Sequence, residues 1–154
     1  MTRKRLTALR YSNDDIEAIT ELVALHLRFH TYQMGWTDSA VRRYVRDAGP
    51  LLGELNVLTR CDCTTRNERK AATLAKRMDE LEERIAELSL REELASIRPE
   101  LDGNEVMKLL GVVPGPQVGK ALAFLLEIRL EEGLVGDAEI HRRLDQWRSD
   151  HEGR

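Results

Sequence analysis

Apolar residues return every three or four positions through most of this chain, and glycine or proline interrupts them repeatedly. That pattern specifies short amphipathic helices. It gives no basis for a sheet, because no segment alternates apolar and polar residues with a period of two. Ser12 with Asp15 reads as a capping start, and Ile16, Ile19, Leu22, Val23 and Leu25 continue at helical spacing to about residue 29. Gly35-Trp36-Thr37-Asp38 breaks the run, and Thr37 or Asp38 can cap a helix over residues 39–47. Gly49-Pro50 breaks it again, ahead of a helix holding Leu51, Leu52, Leu55 and Leu58.

Thr65 with Glu68 opens the longest helix, which is expected to reach about residue 96 before Pro99 ends it. Within it Leu74, Met78, Leu81, Ile85 and Leu88 are spaced four, three, four and three, an a/d seam about two heptads long. A free coiled coil needs about three to four heptads, so the seam is expected to pack inside its own chain, with dimerisation as the alternative. Asp102-Gly103-Asn104-Glu105 caps a short helix holding Val106, Leu109 and Leu110, and Gly111 stops it. After the turn Val113-Pro114-Gly115-Pro116, Pro116 starts an apolar helix through Leu130 that Gly133 ends. A last helix carries Ala138, Ile140, Leu144 and Trp147. The expected fold is all-α, with about seven helices, short loops and one long helix, and a subdomain boundary within residues 96–102.

The size, 154 residues and 17.7 kDa, suits one domain or two small ones. Apolar residues at 42%, charged residues at 33% and a mean hydropathy of −0.45 describe a soluble globular chain able to bury a core. No apolar run approaches the ~18–20 residues of a membrane span. The opening Met1-Thr2-Arg3-Lys4-Arg5 is basic and lacks the apolar stretch of a secretory signal. Cys61 and Cys63, the only cysteines, lie too close for a framework disulfide, which predicts a reducing compartment, the cytoplasm.

A net charge of −3 argues at first against nucleic acid, but the charges are segregated. Residues 1–10 hold Arg3, Lys4, Arg5 and Arg10 with no acid, and residues 60–77 hold six cations against Asp62 and Glu68. The acids concentrate over residues 79–105. An electrostatic footprint on RNA needs such segregation, although two solvated helix faces of opposite sign would produce the same pattern.

Motifs narrow the chemistry. His26 and His30 at i, i+4 suit two ligands on one helical face, or a half-buried histidine and its exposed neighbour. Cys61-Asp62-Cys63 places its thiols poorly for tetrahedral zinc, and no second Cys/His pair follows. The sequence has no phosphate-binding P-loop, dinucleotide fingerprint or nucleophile elbow. It also has no close aspartate pair on a strand beside a Gly-Ser turn, which two-metal nucleotidyl transfer requires. The turn Pro114-Gly115-Pro116-Gln117-Val118-Gly119 offers backbone N–H groups at a helix start, with glycines that would admit a phosphate or a crossing helix.

Leu101-Asp102-Gly103-Asn104-Glu105-Val106-Met107, then Leu109-Leu110-Gly111, then Gly115-Pro116-Gln117-Val118-Gly119-Lys120 resembles the C-terminal RNA-binding region of bacterial CCA-adding tRNA nucleotidyltransferases and their poly(A) polymerase relatives. Leu22-Val23-Ala24-Leu25-His26 and Trp36-Thr37-Asp38-Ser39-Ala40-Val41-Arg42-Arg43 look like the latter half of the helical HD domain of some of these enzymes, and Arg60-Cys61-Asp62-Cys63-Thr64-Thr65-Arg66-Asn67 looks like its end. The resemblance covers almost the whole chain. It implies part of an HD-like domain over 1–63, a connecting helix over 64–98 and an RNA-binding tail over 99–154.

The family's nucleotidyltransferase head, with its Gly-Ser motif and metal-binding carboxylates, has no match here, and neither does the His-Asp doublet that names the HD domain. The chain is therefore expected to be a C-terminal fragment, inactive alone, whether from a truncated gene or an excised piece. Mg2+ would serve the full-length enzyme, with none tightly held here. By the resemblance, His26 and Asp62 match late members of the HD metal set and form an incomplete, weak site. The implied partner is tRNA. The expected phosphate contacts are Arg42, Arg43, Arg60, Arg66, Arg69 and Lys70, with Gly115 and Lys120 as weaker ones. The rival readings are a dimerisation protein built on the seam, and a helix-turn-helix DNA binder using residues 104–110 and 116–130.

Overall fold

The structure, a computed structural model, describes residues 1–31, 35–62 and 67–151. Among them the chain forms eight α-helices and no strand: α1 (Thr2–Ala8), α2 (Asn13–Leu25), α3 (Asp38–Ala48), α4 (Leu52–Cys61), α5 (Glu68–Ser89), α6 (Gly103–Leu110), α7 (Pro116–Glu132) and α8 (Asp137–His151). The fold is all-α, as the periodicity predicts. Short 3-10 turns occupy His26–Thr31, Gly49–Leu51 and Leu94–Ser96. No helix among the described residues is long and apolar enough to cross a membrane.

The chain divides into two compact units, Met1–Ala95 and Ser96–Arg154. In the first, α5 packs against α3 and α4. Its seam is turned inward: Met78, Leu81 and Leu88 are buried, while Leu74 and Ile85 are half-buried. Val41, Tyr44, Val45 and Leu55 also lie in the buried interior of this unit. The seam therefore packs within its own chain, which removes the feature that suggested a dimer. In the second unit Leu101, Val106, Leu110, Ala121, Leu125, Ile140, Leu144 and Trp147 belong to one buried cluster.

Several helix starts follow their predicted chemistry. Ser12 Oγ accepts from Asp15 N, Thr37 Oγ1 accepts from Ala40 N, and Asp102 with Glu105 completes a reciprocal capping box. Gly111, at φ 68°, closes α6 in the left-handed conformation that favours glycine. The Thr65 capping position lies outside the described residues. Asn67 caps α5 instead, its Oδ1 accepting from Arg69 N and Lys70 N at 3.1 Å each.

Three elements depart from expectation. Helix α1 buries none of its residues, so no apolar period marks it in the sequence. It ends in a Schellman arrangement, with Tyr11 N donating to Leu6 O and Arg10 N to Thr7 O. Arg10 takes the left-handed position at φ 60°, at a cost of about 1–2 kcal/mol for a residue with a Cβ.

Helix α2 stops at Leu25 rather than near residue 29, and the tighter turn that follows buries Phe29 against Trp36, ring centroids 5.6 Å apart. Helix α5 stops at Ser89 rather than about residue 96. No glycine or proline causes this end. In a continued helix Leu94 would stand about 240° round from Leu88, away from the seam. The observed turn buries Leu94 instead and sets Glu92 against Arg42.

Candidate nucleic-acid interface

The first turn of α5 presents Arg69 and Lys70 to solvent. Their backbone N–H groups are satisfied by Asn67, which fixes the helix start beneath them. No carboxylate among the described residues pairs with either side chain. With Asn67, Thr73 and Leu74 they line an open hollow of about 330 Å3. An exposed cationic turn of this kind can take a phosphate without first breaking an ion pair.

The remaining predicted contacts sit differently. Arg42 is 5% exposed, and its Nη2 lies 2.9 Å from Glu92 Oε1, so its guanidinium is part of the interior and not a surface contact. Burial of its long stem on the inward face of α3 accounts for this correction. Arg43 is half-buried on the same helix.

Arg60 is held by two acids, with Nη2 2.6 Å from Glu82 Oε2 and 2.7 Å from Asp79 Oδ1. The hydrogen bonds it donates to Glu82 first, then to Asp79, push its pKa further above the ordinary arginine value. Two carboxylates around one guanidinium leave the locality negative, so a phosphate would have to compete for it. Arg66 lies outside the described residues.

In the second unit, Gly115 precedes α7 in extended backbone, with no side-chain cap at that helix start. A Cβ on Gly115 would meet only Val113 O, at 3.8 Å, and one on Gly119 would meet nothing within 4 Å. Among the described residues no crossing helix approaches Gly119, so that reading of the glycine is corrected. Lys120 is exposed and has no carboxylate partner among the described residues. Arg142 and Arg143 are committed within α8 and to the end of α7. Arg142 Nη2 lies 2.7 Å from Glu139 Oε1, and Arg143 Nη2 lies 3.1 Å from Glu132 Oε2. Arg142 and Arg143 together hold the Glu139 carboxyl at about 2.

For the metal reading, His26 Nδ1 lies 2.6 Å from Val23 O, which leaves Nε2 as its second ring nitrogen. His30 falls within the same 3-10 turn, where residues four apart stand about 120° apart rather than the ~40° of an α-helix. The two histidines therefore do not share a face as their spacing implies. Asp62 is exposed at the end of α4. Among the described residues no three His, Cys, Asp or Glu side chains gather into a group that could hold a metal.

Sequence reasoning missed two parts of the surface. Asn67 was overlooked as the cap of α5, although Asn followed by Glu68 is an ordinary helix-start signal. Helix α1 has no counterpart among the helices the periodicity predicts, and it places Arg3, Lys4 and Arg5 on exposed helical positions.

No family model matches the sequence, and no solved structure matches it. Two curated proteins match it nearly end to end. The CC-adding tRNA nucleotidyltransferase of Thermus thermophilus is 35% identical over 155 residues, covering 99% of this chain and 32% of its own length. The A-adding tRNA nucleotidyltransferase of Deinococcus radiodurans is 29% identical over 153 residues, covering 99% of this chain and 34% of its own length. The chain spans about a third of the length of either relative. From end to end, this chain is homologous to about a third of the length of an A-adding and a CC-adding tRNA nucleotidyltransferase.

Proposed function

We propose that the chain is the tRNA-binding part of such an enzyme, holding tRNA while a separate catalytic head adds nucleotides to its 3′ end. The observation that carries this reading is similarity along 99% of the chain to two enzymes named for their action on tRNA. One relative is named as A-adding and the other as CC-adding. A stretch shared by both is suited to gripping the common substrate, and leaves the choice of nucleotide to other parts of the protein.

In the whole enzyme the reaction is transfer of CMP or AMP to an RNA 3′-OH with release of pyrophosphate. On this reading its Mg2+ ions belong with the carboxylates of the catalytic head, so no catalytic step is assigned to this chain. Residues 1–63 would then be the latter part of an HD-like domain in which His26 and Asp62 are at most a weak divalent site.

Binding follows from charge. Arg69 and Lys70 offer two uncommitted cations on one helical turn, and Lys120 offers another. Each phosphate contact releases counterions, so affinity should be weak and fall steeply with salt. The helix-turn-helix alternative loses support because Arg129 of α7 is 4% exposed, leaving Lys120 as the exposed cation of that helix.

The test is tRNA retention by the purified chain from about 50 to 200 mM salt, the range over which such contacts weaken. Arg69→Glu with Lys70→Glu should weaken binding and flatten the logarithmic salt slope by about 1.5, for two lost contacts. If the wild-type chain does not retain tRNA at the lowest salt, the proposed function is wrong.

A further inference from the structure

We infer that the surface formed by α1 and the turn after it is a second RNA contact, one that takes the sugar-phosphate backbone of a single-stranded or looped segment. The inference rests on the tRNA-binding reading and adds a surface to it.

The first observation is that α1 buries none of its residues while carrying Arg3, Lys4 and Arg5 in succession. Successive helical positions are about 100° apart, so the three side chains fan over roughly 200° of an exposed helix. Arg10 adds a fourth cation at the helix end, and no acid precedes Asp14. None of these four cations has a carboxylate partner among the described residues. Arg60, Arg84, Arg142 and Arg143, by contrast, are each held by acids. The α1 cations therefore meet an incoming phosphate with no ion pair to break.

A second observation concerns the backbone. Arg10 sits at the left-handed position of the Schellman arrangement, where glycine is the ordinary residue. Folding alone gains nothing from arginine there, because its side chain makes no hydrogen bond or ion pair among the described residues. The position does aim a cation out of the turn, beside Tyr11, which is 49% exposed. Leu9, at 64%, adds apolar surface alongside.

Cations interleaved with an exposed aromatic ring suit a nucleic-acid strand, which brings phosphates for the one and base faces for the other. An acidic peptide would meet the same cations, but it has no base to lay on Tyr11.

The experiment uses the full chain and a tRNA transcript, with binding followed against salt. Arg3→Glu, Lys4→Glu and Arg5→Glu together should weaken binding at least tenfold at low salt and flatten the logarithmic slope by about two to three. Circular dichroism should be unchanged, since Arg3, Lys4 and Arg5 are all exposed. Arg10→Gly separates the two roles of that residue. Its slope should fall by about 0.7–0.9 while its thermal midpoint holds or rises, because glycine relieves the left-handed strain.

Wild-type retention of tRNA with affinity and slope unchanged in both variants would overturn the α1 contact and leave the proposed function standing. A polyglutamate peptide of equal charge that binds as tightly as the transcript, and loses that affinity in the triple variant, would overturn the assignment to RNA. Failure of the wild-type chain to bind tRNA at all would overturn both.

Discussion

Arg42 and Glu92 meet across fifty positions of sequence, with Arg42 Nε donating to Glu92 Oε1 at 3.0 Å and both side chains under a tenth exposed. A buried pair of this kind adds little net stability relative to apolar residues of similar size, because each charge gives up its hydration. Losing one member is another matter, since the survivor stays buried without its opposite charge. Arg42→Ala should therefore destabilise the first unit by about 3–5 kcal/mol, read from the urea midpoint. Arg42→Met with Glu92→Leu should recover most of that loss. If the single variant unfolds like wild type, the pair is not holding the turn after α5.

Glu139, half-buried on α8, shows a more open case. Arg142 and Arg143 depress its pKa from 4.5 to about 2. A depressed carboxylate contributes stability that is present above its unfolded value and lost as pH falls through the folded one. The expected signature is a Glu139 carboxyl resonance that titrates near 2 and moves upward in high salt, where exposed pairs are screened. A midpoint near 4.5 at low salt would show that the three side chains do not hold one another in solution.

At the scale of elements, legibility followed locality. Capping at Ser12, Thr37 and Asp102 and the stop at Gly111 depend on a few neighbouring residues, and each was readable. The seam on α5 was readable too, because its period belongs to the helix itself. The end of α5 was not, since it depends on where Leu94 and Glu92 find partners in the folded unit. Nor was the 3-10 turn at His26–Thr31, which separated two histidines that an α-helix would have aligned. The site followed the same rule. Charge counting found Arg69 and Lys70, but it also chose Arg42 and Arg60, whose neutralising acids lie 50 and about 20 positions away.

The cap of α5 gives an element-scale prediction. Asn67→Ala removes the acceptor for two N–H groups and should cost about 1 kcal/mol. Asn67→Asp should keep the cap and favour the positive end of the helix dipole. Aspartate would also place a negative charge beside Arg69 and Lys70. On the tRNA-binding reading the alanine variant loses stability while the aspartate variant loses RNA affinity. Equal effects of both on melting and on binding would show that the Asn67 side chain does not cap the helix.

Over the whole molecule, charge and compactness divide along the chain in the same place. The first unit, residues 1–95, carries equal numbers of Lys/Arg and Asp/Glu, so the entire net charge of −3 falls in residues 96–154. The uncommitted cations of α1 and of the start of α5 lie in the neutral unit. The acidic unit offers Arg98, Lys108 and, on α7, Lys120 as exposed cations, and spends Arg142 and Arg143 on its own carboxylates. RNA should therefore be held mainly by the first unit, although the sequence resemblance assigns the RNA-binding tail to residues 99–154. The units can be separated to ask this, because each has buried apolar residues of its own: Tyr44, Leu55 and Leu81 in one, and Val106, Leu125 and Leu144 in the other. A segment of about sixty residues with a single core is marginal, so residues 96–154 should fold cooperatively alone but melt early. Residues 1–95 should keep most of the tRNA affinity of the intact chain and most of its salt slope. The acidic unit, folded by circular dichroism, should retain tRNA only at the lowest salt. If residues 96–154 instead carry the greater part of the affinity, backbone N–H groups at the start of α7 outweigh net charge, and the footprint belongs there.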